Sequence, residues 1–586
     1  MANFFKIFFA SFLALIVFSV VSFVVSLFVL AAIAAPEQPV IGNNAVLVLD
    51  LSKTYKEQAQ DNPLATLMGG TEEESLPGLY DMVRMIKAAA TDDEVKAIYI
   101  KANDNANGFA ATEEIRDALL AFKKSNKTVI AYGEVISQNA YYVAQVADKV
   151  YCNPKGAFDF RGFATSLFFL KGTLEKLEIE PQIFYAGKFK SATEPLREYK
   201  MTDANRLQTA MFMGDLYQHF LAKTAETRKV DTTTLHQLAN TAAIQSPYDA
   251  LNYKLIDGVK YDDEVKAELL SKLGLKETDK INYVSFDDYQ KARTMDDGSG
   301  TDKIAVIYAE GDIVDGKGDD ESIGSDKFRN LIRKARLDKS VKAIVLRVNS
   351  PGGSALASEV MWRELSLARK VKPVVVSMGD VAASGGYYIA CGGDSVFAQP
   401  NTITGSIGVF GIIPNMQAFF KNKLGMTFDG VKTATYADFG DVSRPLTAAE
   451  KVFVQNSIDT IYHTFKTRVA DARNMSVDAV DSIAQGRVWT GKRAVEIGLV
   501  DKLGSLKDAI DCAARMSKLS TYKLKGYPEQ QPFFEKLFGS VTKTTKVKSI
   551  KEEIGVAQYD MYMRLKKLNA IMGIPQARMP FDMKFR

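Results

Sequence analysis

Two serines of this chain stand in glycine-rich turns where a hydroxyl would be sterically open: Ser384 in Ala382-Ala383-Ser384-Gly385-Gly386 and Ser406 in Thr404-Gly405-Ser406-Ile407-Gly408. Each has a plain reading beside the chemical one. Ser406 is also an ordinary turn serine, and Ser384 also suits the N-cap of a helix, a position serine favours. A third run, Asn349-Ser350-Pro351-Gly352-Gly353, follows a predicted strand and precedes a predicted helix. Glycines there let the backbone approach closely and aim N–H groups at a developing oxyanion, though a tight turn needs the same residues. A nucleophilic serine requires a base. The only histidines, His219, His236 and His463, lie far from these turns. Lysine serves if burial lowers its pKa from about 10.4 towards 7, a change of roughly 4–5 kcal/mol. Lys188 and Lys190, in Ala186-Gly187-Lys188-Phe189-Lys190-Ser191-Ala192, share one face if the segment is extended; read plainly, both are solvated charges. The three cysteines, Cys152, Cys391 and Cys512, are far apart and form no CxxC pair. This argues against a zinc site or a disulfide framework and for small buried side chains. No metal or organic cofactor is expected.

The elements that carry these residues occur twice. VKAIYIKAN at Val95–Asn103 returns as VKAIVLRVN at Val341–Asn349, an offset of 246. At that offset Glu113 meets Glu359, Gly133 meets Gly379, Tyr141-Tyr142 meets Tyr387-Tyr388, Asp148 meets Asp394 and Gly162 meets Gly408. Further on the register drifts slightly, and Thr202 meets Thr447 and Asp257 meets Asp501. Each copy alternates strand and helix: Ala343–Val348 and Pro373–Ser377 read as buried strands, Ser358–Lys370 and Gly385–Cys391 as helices. That alternation predicts an α/β architecture with parallel sheets. Met295–Lys303, MDDGSGTDK, has the composition of a linker between copies. We expect an N-terminal segment over 1–36, modules over 37–300 and 301–520, and a tail over 521–586.

Positions that differ between copies are candidates for chemistry. Asn103-Asp104-Asn105-Ala106-Asn107 stands where the second copy has Asn349–Gly353, and Phe160 stands where it has Ser406. Tyr436 is the ungapped counterpart of Lys190, so this lysine occurs only in the copy that lacks the serine.

Together, SPGG (350–353), AASGGYY (382–388), TGSIGV (404–409) and GKFKSATEP (187–195) resemble signal peptide peptidase A, the long form with two modules (peptidase family S49). The resemblance covers roughly residues 7 to 520. It implies a ClpP/crotonase-like fold in each module and a serine protease whose Ser-Lys dyad is split between copies. By position it puts the nucleophile on Ser406 and the general base on Lys190. It puts the oxyanion loop on Gly352 and Gly353, with the Ser406 N–H as a further donor, and makes Ser191 a candidate to hold the amine and Lys188 a bystander. It also implies hydrophobic peptide substrates such as signal peptide remnants, and a bowl-shaped homotetramer. Two other readings use the same fold: a crotonase-type acyl-CoA enzyme and a non-catalytic membrane scaffold. Ser384 is a rival nucleophile, disfavoured because no histidine lies nearby.

From Ile7 to Pro36 no residue is charged, longer than the roughly 20 apolar residues a bilayer core requires and longer than the apolar part of a cleaved signal, about 7–15 residues. Lys6 precedes this run and no Lys or Arg follows until Lys53, so the positive-inside rule keeps the N-terminus in the cytoplasm. The modules are then expected on the outer, periplasmic side of the inner membrane. A net charge of +4 over 586 residues gives no reason to expect nucleic acid. Leu64–Pro77 reads as a mobile loop. In the tail, Lys543–Lys551 is lysine-rich, Glu552–Leu568 has amphipathic helical spacing, and Pro575–Arg586 reads as extended and basic, suited to a neighbouring subunit or lipid headgroups.

Overall fold

The computed structural model describes residues 2–33, 39–61, 75–293, 297–529 and 572–579. The stretches Lys543–Lys551 and Glu552–Leu568, and most of the Leu64–Pro77 loop, lie outside the described residues.

Ala2–Ile33 is one helix of 32 residues, and its window Phe4–Ser22 has a mean hydropathy of 2.5 with none of it buried. The two copies follow it, each built on a largely parallel sheet. The first sheet runs in the order Gly258–Val259, Lys149–Phe158, Thr128–Ile136, Val95–Lys101, Ala45–Asp50, Asn282–Ser285, with every pairing parallel. The second runs Val488–Thr490, Ile403–Gly405, Val374–Ala383, Val341–Ser350, Lys303–Glu310, Lys523–Tyr527. Among its described strand pairings, that of Val488–Thr490 with Ile403–Gly405 is antiparallel and the others are parallel. Lys523–Tyr527, in the stretch read from sequence as tail, is therefore an edge strand of this sheet. The strands are β-branched and buried on both faces, as parallel sheets covered by helices require. Val95, Ile98 and Ile100 enter one core cluster while Ala97 and Tyr99 enter another; in the second copy Ile344, Leu346 and Val348 separate from Ala343 and Val345 in the same way.

Residues shared by the copies do the same structural work in both. The Tyr141 hydroxyl donates to Leu255 O at 2.6 Å and that of Tyr387 to Leu499 O at 2.8 Å. Asp148 accepts from Val129 N and Asp394 from Val374 N; Asp257 accepts from Val150 N and Asp501 from Val396 N. These side chains satisfy backbone donors at strand ends, which would otherwise be orphaned in a buried sheet.

A third sheet joins the copies. Its order is Ser322–Gly324, Asp312–Val314, Gly352–Ser354, Gln576–Arg578, Val409–Asn415, Glu180–Ala186. Glu180–Ala186 of the first copy pairs antiparallel with Val409–Asn415 of the second over seven residue pairs, from Val409 against Ala186 to Asn415 against Glu180. A buried ion group adds a second joint. Arg347 Nε donates to Glu57 Oε2 at 2.8 Å and Arg347 Nη2 lies 2.8 Å from Glu114 Oε1, with all three side chains essentially inaccessible.

Candidate active site

Pairing of Ala186 with Val409 brings the residues after Ala186 beside those before Val409. Gly187 turns the chain at φ +107° and Lys190 N donates to Gly187 O at 3.1 Å, so the segment is not extended. The two lysines consequently do not share a face: Lys188 is exposed, whereas Lys190 is 1% exposed. Lys190 Nζ lies 2.8 Å from Ser384 Oγ, 3.0 Å from Ser406 O and 3.1 Å from Ser406 Oγ. Both serines are fully buried. Burial alone holds the Lys190 amine well below the usual lysine range.

A neutral amine has two protons and one lone pair. Ser406 O can only accept, so it takes one proton. Each serine hydroxyl can take the second proton or donate to the lone pair, and Ser384 Oγ stands nearer the amine, at 2.8 Å against 3.1 Å for Ser406 Oγ. The backbone distinguishes the two serines further. Ser384 adopts φ +55° and ψ −114°, a strained conformation for a residue with a Cβ, at the junction of strand Val374–Ala383 and helix Gly385–Ala390. Such strain persists only where the surroundings impose it, and it gathers at functional sites. Ser384 occupies the helix cap position but its side chain makes no capping bond, so the N-cap reading is not what the structure shows. Ser406 also has positive φ, +51°, and its N–H donates to Arg487 O at 2.7 Å. That N–H is thus already engaged and differs in this from the oxyanion donor expected from sequence.

Gly352 and Gly353 form the short strand Gly352–Ser354 with φ of +95° and +157°. Gly352 N–H donates to Ser350 Oγ at 3.1 Å. A Cβ on Gly352 would lie 2.2 Å from Ala577 O and 2.6 Å from Gly385 N, and one on Gly385 would lie 2.9 Å from Ala577 O. A carbonyl oxygen thus already sits where the glycine loop meets the residue after Ser384. It belongs to the chain's own tail strand, Gln576–Arg578, which lies antiparallel to Gly352–Ser354 and fills a slot one strand wide before Val409–Asn415. Met579 N donates to Pro351 O, Ala355 N donates to Pro575 O, and Arg578 pairs with Asp312 at 2.8 Å. The buried Met579 side chain packs among Phe212, Leu216, Ala383, Ile403 and Val488.

Ser191 is buried beside Lys190, but its Oγ accepts from Gln208 Nε2 at 2.9 Å and is not a partner of the amine. The amine is held by Ser384 and Ser406 instead. Sequence reasoning passed over the segment Gln485-Gly486-Arg487. Gln485 O accepts from Phe189 N, Arg487 O accepts from Ser406 N, and Gly486 N donates to Ile407 O. A Cβ on Gly486 would stand 2.6 Å from Lys190 N. This loop clamps the lysine turn against the serine turn, and its single glycine was the only mark it carried. None of the three histidines belongs to the group; His219, for example, contacts Glu113 at 3.1 Å.

The profile of Peptidase family S49 matches residues 121–276 and 366–520, corresponding stretches of the two copies. Over 518 residues the chain is 37% identical to "Protease 4" of Salmonella typhi, covering 85% of this chain and 82% of that protein. It is 33% identical to "Serine protease SPPA, chloroplastic" of Arabidopsis thaliana over 81% of this chain and 70% of that one. Among solved structures, a mutant ClpP1 from Listeria monocytogenes overlaps 35% of this chain and 94% of its own, at 13% identity and a TM-score of 0.24.

Proposed function

Because the chain belongs to peptidase family S49 and is a serine peptidase, we propose that it cleaves peptides with Ser384 as nucleophile, Lys190 as general base and Ser406 as the residue that aims the amine. The observation that carries this reading is the 2.8 Å contact of Lys190 Nζ with Ser384 Oγ, on a strained strand-to-helix turn whose serine makes no capping bond. It revises the sequence-based choice of Ser406. No histidine lies near Ser384 in sequence, and its base is instead a lysine that arrives from the other copy.

The neutral Lys190 amine takes the Ser384 hydroxyl proton as Oγ attacks the peptide carbonyl carbon, and the carbonyl π electrons move onto oxygen. Gly353 and Gly385 N–H groups stabilise that oxyanion, each such donor typically contributing about 10²–10³ in rate. Collapse expels the amine of the leaving peptide, which receives the proton from the Lys190 ammonium. Water then releases the acyl-enzyme by the same path in reverse. The tail strand supports an extended peptide as substrate: it shows one backbone bonded along Gly352–Ser354, with an apolar side chain buried beside it.

The apolar helix Ala2–Ile33 fits a single-pass anchor, with its short N-terminus in the cytoplasm and the modules on the outer side of the inner membrane. Hydrophobic peptides such as signal peptide remnants are then the substrates at hand, and a homotetramer anchored by several such helices would set its sites near the bilayer. Light scattering of the detergent-solubilised chain checks the tetramer. The primary test is hydrolysis of a hydrophobic fluorogenic peptide, with fluorophosphonate labelling in parallel. Ser384→Ala and Lys190→Ala should both be inactive and unlabelled. Wild-type labelling of Ser384→Ala would return the nucleophile to Ser406.

A further inference from the structure

The loop Asp104–Asn107 stands in the first copy where the second has its glycine loop, and it has kept a cleft of its own. A cavity of about 620 Å³ opens there. Several of its lining residues are counterparts, at the offset of 246, of residues around the candidate active site: Asp104 of Ser350, Asn107 of Gly353, Asn139 of Gly385. Among the described residues, its lining holds no serine, lysine or arginine. The side-chain donors of Asn105, Asn107 and Tyr142 in its lining are already engaged, whereas three acceptor oxygens are not. Asp104 Oδ1 accepts from Asn105 N and Ser137 Oγ, and Asp380 Oδ1 accepts from Ala110 N and Ala111 N; among the described residues, Oδ2 of each has no hydrogen bond. Asn401, 3% exposed, donates through Nδ2 to Phe109 O, while its buried Oδ1 has no partner among the described residues. An unmet buried acceptor costs about 1–3 kcal/mol, and here it lines a space large enough for a ligand. Leu216 and Ile403 line the same cavity and also belong to the apolar cluster that holds Met579 of the tail strand, so the cavity adjoins the pocket that this side chain enters.

We propose that this cavity is a cation subsite of the peptide groove, taking the ammonium or guanidinium of a lysine or arginine whose methylene stem lies along Leu216 and Ile403. Asn401 Oδ1 and the free oxygens of Asp104 and Asp380 receive its N–H donors, with charge assistance from the carboxylates. A long basic side chain suits the shape, since its stem is apolar and only its head is charged. The proposal rests on the peptide-cleaving reading for its ligand, but not for its binding chemistry.

The test begins with the full chain and a probe small enough to ignore the slot. Calorimetric titration with n-hexylammonium and with hexanol should show the cation binding about tenfold more tightly. That preference should fall at least about fivefold in Asp104→Asn, an exposed substitution that leaves the core intact, and in Asn401→Leu. Equal binding of the two probes, or a preference that survives in both variants, overturns the site. Next, KM for an apolar fluorogenic peptide with one lysine, walked through successive positions, is compared with its acetyl-lysine version. One position should favour the charged form in the wild type and not in Asp104→Asn; no such position would overturn the subsite's part in substrate binding. Failure of the cleavage reading shows separately, as Ser384→Ala that still cleaves, and leaves the titration untouched.

Discussion

At the scale of single residues, the site turns on what an uncharged lysine can do with three neighbours. Ser384→Ala removes the attacking oxygen and should abolish acyl-enzyme formation. Ser406→Ala removes one acceptor but leaves the carbonyl contact, so it should lower kcat by about 10²–10⁴ through loss of base alignment while keeping slow labelling by a fluorophosphonate. Labelling rates of the two variants at one pH check this. Lys190 also links activity to pH and stability. Its pKa in the folded chain is depressed by burial, so kcat/KM should rise as pH increases through that value, well below the unperturbed value of about 10.4. Between the two values the unfolded chain binds the extra proton, so stability increases with pH there and the cost of burying the amine is largest at low pH. Lys190→Met should therefore raise Tm most at low pH, with the gain fading as pH approaches about 10; melting curves across pH test the sign.

At the scale of elements, two short segments decide access and alignment. The Gln485–Arg487 loop holds Lys190 to the serine turn through backbone bonds. Gly486 has φ +75° and no room for a Cβ against Lys190. Gly486→Ala should shift the amine by a few tenths of an ångström and cut kcat by about 10²-fold, with far-ultraviolet circular dichroism unchanged. The tail strand occupies the slot beside Gly352–Ser354. If substrate uses this slot, deleting residues 572–586 should lower KM for a hydrophobic peptide, and a synthetic peptide spanning 573–579 should inhibit the shortened chain competitively. An unchanged KM after deletion would separate the substrate path from the tail path.

At the scale of the whole molecule, one active centre requires both copies. Lys190 comes from the first and both serines from the second, joined by the Glu180–Ala186 and Val409–Asn415 pairing and by Arg347 between Glu57 and Glu114. Arg347→Ala would strand two buried carboxylates and should destabilise the chain by about 3–5 kcal/mol, measured by urea unfolding, with loss of activity following loss of docking. Each copy expressed alone should be inactive whatever its own stability, because neither holds both base and nucleophile.

Repetition, sheet class and the class of chemistry were legible in the sequence because they rest on local signals. The β-branched runs, the 246-residue offset and the residues that the copies share, such as Tyr141 and Tyr387, need no knowledge of distant contacts. The comparison of copies also isolated Lys190 and the glycine turns. What it could not supply was distance across the joint. Ser384 and Ser406 are both open turn serines in sequence, and only the docked arrangement places one amine 2.8 Å from the first and against two acceptors of the second. Ser191 adjoins Lys190 in sequence but bonds to Gln208, because the turn at Gly187 points the two side chains to different partners. The role of Gly486 and the slot filled by Gln576–Arg578 were hidden for the same reason. Local propensity sets the elements of this chain, whereas the positions of its reacting atoms follow from non-local pairing between strands more than two hundred residues apart.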